Sequence, residues 1–170
     1  MSSKLQLKNG ASTLAITHSD SKGSKTIIGT DIVTSVATIN DFPTVGIQDG
    51  DTVIVKEEGR GGTFIYRSAD VATNNGGTIF NGWCRQYDGA VNVKWFGAVG
   101  DGVTDDTTSL QTAIDYAYSL GGSEVLLGNG NYSITAPLLV GGSSNVTLRG
   151  FSNLESGSSK ITCKGTHCFK

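Results

Sequence analysis

The sequence predicts a mainly β chain in two parts: a small β domain, then a helix leading into a solenoid of very short strands. Three observations predict it. Gly alone fills 24 of the 170 positions, with Ser and Thr nearly as frequent, and Gly and the β-branched Thr both weaken long helices. Strong helical periodicity occurs once, over residues 104–120. After it, brief β-prone runs alternate with Gly, Asn and Ser turns, and no second helix arrives to build βαβ units.

Residues 1–30 read as a polar arm. Leu5 and Leu7 alternate with Lys4, Gln6 and Lys8, Asn9 and Gly10 signal a tight turn, and Leu14 to Ile16 suit a return strand. Ser19 to Ser24 reads as a loop. The arm has too few apolar residues to fold without a neighbouring chain or surface.

Residues 31–90 read as the small β domain. Thr52 to Val55 and Thr63 to Arg67 are strands on either side of a charged Gly loop, Glu57 to Gly62. Thr78 to Phe80 and Trp83 to Arg85 flank Asn81 and Gly82, and two β-prone runs joined by Asn-Gly make a hairpin signal.

Residues 91–170 hold the helix and the solenoid. Leu110, Ala113, Ile114, Ala117 and Leu120 form a single buried stripe. Thr104 or Asp105 caps its start, and Gly121 and Gly122 end it. The short strands that follow are Glu124 to Leu127, Tyr132 to Thr135, Leu138 to Val140, Asn145 to Leu148 and Lys160 to Cys163.

Composition excludes several classes. The Gly residues have no period of three, so the chain is not collagen-like. A net charge of −2 and a charged fraction of 16% argue against nucleic-acid binding. No apolar run approaches a membrane span, and the N-terminus has no apolar signal-peptide core. The three Cys form no complete disulfide framework, and the chain reads as made in a reducing cytosol with its thiols buried or idle.

Candidate sites have plain structural readings beside functional ones. Asp101, Asp105 and Asp106 lie close together with Thr104 and Thr107, as a Ca²⁺ site or a glycosidase carboxylate pair would. Their spacing matches no Ca²⁺ loop, and turn formation with helix capping accounts for them. Gly100, Asp101 and Gly102 lack the Lys-Ser/Thr of a phosphate cradle. Cys163, His167 and Cys168 lack the paired spacing of a zinc site, and His18 is remote from them. Trp83, Trp95, Phe96, Tyr66, Tyr87 and Tyr132 suit sugar stacking but read better as core anchors, with Trp95 and Phe96 between the small domain and the first coil. The glycosylation patterns at Asn131 and Asn145 lapse without a signal peptide.

One stretch is distinctive. Trp95, Phe96, Gly97, Gly100, Asp101, Gly102, Asp105 and Asp106 lead into a helix carrying Leu110, Ala113 and Ile114; Gly121, Gly122, Val125 to Leu127, Gly130 to Tyr132, Pro137 and Leu138 follow in order. This opening motif resembles the start of pectate-lyase-like right-handed parallel β-helix proteins. The upstream segments Gly61 to Phe64, Gly76 to Phe80 and Trp83, ending at Asp88 and Gly89, look like what precedes that start in bacteriophage tailspikes. The resemblance covers about residues 45–150.

The resemblance implies the helix-capped first coils of a right-handed parallel β-helix and a homotrimer. It implies the N-terminal part of a tailspike, located in the virion tail, which attaches to the tail, baseplate or another tailspike. It further implies that the parent protein binds and depolymerises a bacterial surface polysaccharide through coils beyond residue 170. This chain is then expected to be no enzyme, with no catalytic residue, cofactor or metal of its own and no membrane insertion. The alternatives are a small complete polysaccharide lyase or glycoside hydrolase using the acids of 101–124, and a non-catalytic carbohydrate-binding module.

Overall fold

The computed structural model describes residues 15–20, 23–28, 31–140, 145–150, 152–153 and 157–164, with side chains over 35–140, 145–150 and 158–164. The expected strand at 5–7, the turn at Asn9 and Gly10, and His167 and Cys168 lie outside the described residues. The chain divides into two units, Met1–Tyr87 and Asp88–Lys170.

The first unit is one seven-stranded sheet. Its strands are β1 (Ala15–Asp20), β2 (Gly23–Ile28), β3 (Asp31–Val36), β4 (Thr52–Val55), β5 (Gly62–Tyr66), β6 (Ile79–Phe80) and β7 (Trp83–Arg85). They lie in the order β1-β2-β3-β4-β5-β7-β6. Every pair is antiparallel except β3 with β4, which run parallel. The stretch expected to be a separate arm therefore contributes β1 and β2 to this sheet, and the expected loop at 19–24 falls largely within them. Main-chain hydrogen bonds recruit a strand whatever the polarity of its side chains, which is why composition hid the pairing.

In β4, Val53 and Val55 are buried while Ile54 faces out, the period of two that buries one face of a sheet. That face holds the core of this unit: Val36, Ile39, Phe42, Val53, Val55, Phe64, Tyr66, Phe80 and Trp83. Phe42 is its hub, stacked on Trp83 with ring centroids 5.4 Å apart and edge-on to Phe64 at 5.0 Å. Each such side chain, fully buried, contributes roughly 2–3 kcal/mol. The Asn81–Gly82 loop joins β6 to β7 with Phe80 opposite Trp83. Its two residues have φ of 49° and 95°, the positive pair that a tight two-residue hairpin turn requires.

The second unit contains β8 (Val91–Asn92), a 3-10 turn (Val93–Phe96), β9 (Asp101–Asp105), α1 (Thr107–Ser119), β10 (Glu124–Leu127), β11 (Gly130–Ile134), β12 (Thr147–Gly150), β13 (Ser152–Asn153) and β14 (Gly157–Cys163). Successive passes of the chain stack in parallel. Val125 of β10 pairs with Val91 of β8, and Glu124 pairs with Thr147 of β12. A second stack sets Asn131 of β11 against Asp101 of β9 and against Lys160 of β14. β13 pairs antiparallel with the start of β14.

Four expectations need correction. Asp101 and Asp105, expected in a turn and a helix cap, are the ends of strand β9, which pairs with β11. The helix starts at Thr107 rather than 104, with Asp106 at the cap position. Leu120 is half-exposed rather than part of the buried stripe, because the helix ends at Ser119. Residues 138–140 form no strand of their own, and Leu138 makes only an isolated bridge. The helix C-terminus closes as expected: Gly122 N–H donates to Ala117 C=O and Gly121 N–H to Tyr118 C=O, with φ of 104° and 85°.

Candidate functional site

The opening motif is built on two glycines that permit close approach. Gly100 has φ 70°, and a Cβ there would stand 3.0 Å from the ring of Tyr132. Gly102 has φ 81°, and its Cβ would stand 2.8 Å from Asn131 Nδ2. Positive φ at both positions favours glycine, and a Cβ at either would press on these side chains. Gly97, also at positive φ, ends the 3-10 turn that Asn92 caps by accepting from Lys94 N–H at 2.9 Å.

The three carboxylates do separate jobs. Asp106 is 1% exposed and accepts from the amides of Val99 (2.7 Å) and Gly100 (3.2 Å). Its side chain holds the preceding loop, and only its backbone carbonyl serves the helix, accepting from Leu110 N–H. Asp105 is exposed. It accepts from the amide and hydroxyl of Thr107 at the helix start and from the hydroxyl of Thr135, which ties the helix to the end of β11. Asp101 folds back on its own strand, accepting from the amides of Val103 (2.8 Å) and Thr104 (2.7 Å) and from the Thr104 hydroxyl. Among the described residues, no three of His, Cys, Asp and Glu gather where they could hold a metal ion.

The hydrogen bonds from Thr107 and then Thr135 hold the Asp105 carboxyl down to about 2, and those from Thr104 and Val103 lower that of Asp101. A carboxyl depressed on folding adds stability above its ordinary value near 4, and that stability fades as pH falls toward the depressed value. The thermal midpoint of the second unit is thus expected to hold above about pH 5 and to fall between about pH 4 and pH 2. Asp105→Asn should reduce that slope. A slope equal to wild type would exclude Asp105 as its source.

The stripe Leu110, Ala113, Ile114 and Ala117 is buried, with the small residues letting the helix lie close to the strands. Gln111, beside it, carries no sequence signal. Its Oε1 accepts from Leu139 N–H (2.8 Å) and its Nε2 donates to Leu139 C=O (3.1 Å), while Asp115 Oδ1 orients the amide at 2.7 Å. One side chain thus gives Leu139 both hydrogen bonds that a neighbouring strand would give.

Among the aromatics, Tyr132 is fully buried and donates to Gly128 C=O at 3.0 Å. Burial, and then the charge of Asp106, raises its phenol. Phe96 leans on Tyr116 of the helix with centroids 5.7 Å apart, and Trp95 is half-buried in the same turn. Cys84 is a buried thiol pushed up to about 11 by burial and by its contact with Asp70 Oδ2. Cys163 is disulfide-bonded, which corrects the expectation of an idle thiol there.

Comparison with known proteins agrees with this geometry. Residues 90–166 match the family model of rhamnogalacturonase A/epimerase, pectate lyase-like. The tailspike protein of Acinetobacter phage vB_ApiP_P1 superposes with a TM-score of 0.62 at 22% identity, over 77% of this chain and 24% of that one. The chain has a tailspike-like, pectate-lyase-like fold. A second tailspike-like neighbour is gp49 of Acinetobacter baumannii bacteriophage Fri1, described as a capsular polysaccharide depolymerase, with a TM-score of 0.55 at 20% identity over 69% of this chain and 23% of that one. Over 45 residues the chain is 58% identical to mannuronan C5-epimerase AlgE4 of Azotobacter vinelandii, which is 26% of this chain and 8% of the epimerase. The chain thus spans under a tenth of that relative's length and about a quarter of the two solved tailspikes.

Proposed function

We propose that this chain is the N-terminal, virion-attaching part of a phage tailspike. The first unit anchors the fibre to the tail, baseplate or another tailspike. The second starts a right-handed parallel β-helix. Later coils of the parent bind and depolymerise a bacterial surface polysaccharide, and this chain performs no catalysis. The observation that carries the reading is the pair of parallel stacks, β8-β10-β12 and β9-β11-β14, begun beneath a helix whose neighbouring carboxylates hold backbone amides. Such a helix covers an open apolar end and the strand edges that invite aggregation.

The reading includes a trimer. Sedimentation at micromolar concentration should give three times 17.7 kDa, and a stable folded monomer would sink that part of it. Attachment is tested by adding the purified chain to tailspike-free particles. It should bind them and block the full-length fibre, and no binding would count against the anchor.

The local identity to an epimerase favours a second reading, a polysaccharide-modifying enzyme with its acids in the opening motif. Turnover of alginate or capsular polysaccharide by this chain, lost in both Asp105→Ala and Asp106→Ala while folding survives, would establish it over the first.

A further inference from the structure

The first unit carries a groove of about 390 Å³ that the attachment reading leaves without a named occupant. Ile39, Phe42, Pro43, Ile47, Val71 and Phe80 supply its apolar lining; Asn40, Thr44, Tyr66, Asn74 and Asn81 supply polar groups, and no charged residue lines it. Tyr66 is only 8% exposed, yet its hydroxyl makes no hydrogen bond among the described residues. Ser133 Oγ is the one side-chain nitrogen or oxygen among them that is both sealed from solvent and without a partner, so the Tyr66 hydroxyl is not sealed, and Tyr66 lines the groove. The side-chain amides of Asn40 and Asn81 likewise make no hydrogen bond among the described residues. An apolar floor with a few unused polar groups is the general form of a binding site.

We propose that this groove docks an uncharged, extended peptide segment of a partner protein, with a branched aliphatic side chain on the floor and its flanking peptide groups on the rim amides. Four observations select that occupant. The lining is uncharged, so a charged segment would lose hydration with no counter-charge. Val71, which lines the groove, stands 53% exposed and suits an aliphatic side chain. Carboxamides match peptide groups at two points, as Gln111 does with Leu139 in this same chain. Finally, the rings offer no platform for a sugar: Phe42, Tyr66 and Phe80 are each under a tenth exposed, and the face of Phe42 is covered by Trp83. Only the identity of the partner as a virion protein rests on the attachment reading. The groove's chemistry does not.

Trp83 reports on occupancy. Its indole N–H donates to Pro43 C=O at 3.2 Å, and Pro43 lines the groove. Trp95, in the other unit, supplies an internal reference. The probes are acetylated and amidated pentapeptides of Ser, Thr, Gly and Asn with Val, Ile, Leu or Pro at the centre, titrated into the whole chain while the indole N–H resonances are followed.

The aliphatic peptides should shift the Trp83 signal and leave that of Trp95 in place, and a central Lys should abolish the effect. Val71→Lys should weaken binding about tenfold or more, and Tyr66→Phe should weaken it severalfold while the fold is kept. The proposal is overturned if no peptide moves Trp83, or if maltose or cellobiose moves it and the peptides do not. It is also overturned if the signal moves with protein concentration alone, which would make the occupant a second copy. Peptide binding with no attachment to particles would overturn the attachment reading and leave the groove assignment standing.

Discussion

Asp106→Ala should lower the thermal midpoint of the second unit by about 15 °C or more. The carboxylate is buried and accepts two amides, from Val99 and Gly100. Hydrogen bonds to a charged group contribute about 1.5–3 kcal/mol each, and alanine removes both at once. A loss of about 3–5 kcal/mol follows, a large part of a domain's total stability. Asp106→Asn separates charge from shape. It keeps one acceptor oxygen but turns an NH2 group toward the second amide, so its loss should be intermediate. Asp105→Ala and Asp101→Ala, on exposed carboxylates, should cost clearly less. A midpoint shift for Asp106→Ala under about 3 °C would show that the loop holds itself without the carboxylate.

Arg85→Ala should be the corresponding lesion in the first unit. The Arg85 guanidinium is 6% exposed and donates to the carbonyls of Gly77 (3.1 Å), Gly61 (2.7 Å) and Arg60 (2.6 Å), while lying over the ring of Phe64 at 4.5 Å. It gathers the Glu57–Gly62 loop and the turn before β6 onto the sheet. Burial, and then repulsion from Arg60, lowers its affinity for the proton to about 10, which leaves it charged at neutral pH. Removing it strands three acceptors and opens a void, with an expected cost of about 4 kcal/mol or more. Arg85→Lys should recover only part of this, because one ammonium on a flexible stem does not span three diverging carbonyls. Urea unfolding read at Trp83 measures both variants. Equal stability of Arg85→Lys and wild type would show that charge alone suffices.

These two side chains mark how far the sequence was legible. Local patterns read well: Thr52 to Val55 and Glu124 to Leu127 are strands with the expected ends, Asn81 and Gly82 make the hairpin, and Leu110, Ala113, Ile114 and Ala117 are buried. Each depends on neighbours within a few residues. What escaped depends on distance. Nothing near Gln111 announces that its amide meets Leu139, nor does anything near Arg85 announce the carbonyls of Arg60 and Gly61. Gly102 and the acids around it suggest a turn, and only pairing with β11 makes β9 a strand. The acids of the opening motif were read as helix caps. Asp105 does serve the first helical amide, whereas Asp106 serves the loop behind it.

The clasp of Gln111 on Leu139 gives the second unit a direction. Backbone groups that would accept a preceding strand are already taken by the chain's own side chains: Leu139 by Gln111, Val103 and Thr104 by Asp101, Val99 and Gly100 by Asp106. Those groups are closed to a further strand, whereas β12 and β14 keep an outer edge. The side of β9 toward the helix therefore offers another chain fewer open backbone groups than the outer edges of β12 and β14 do.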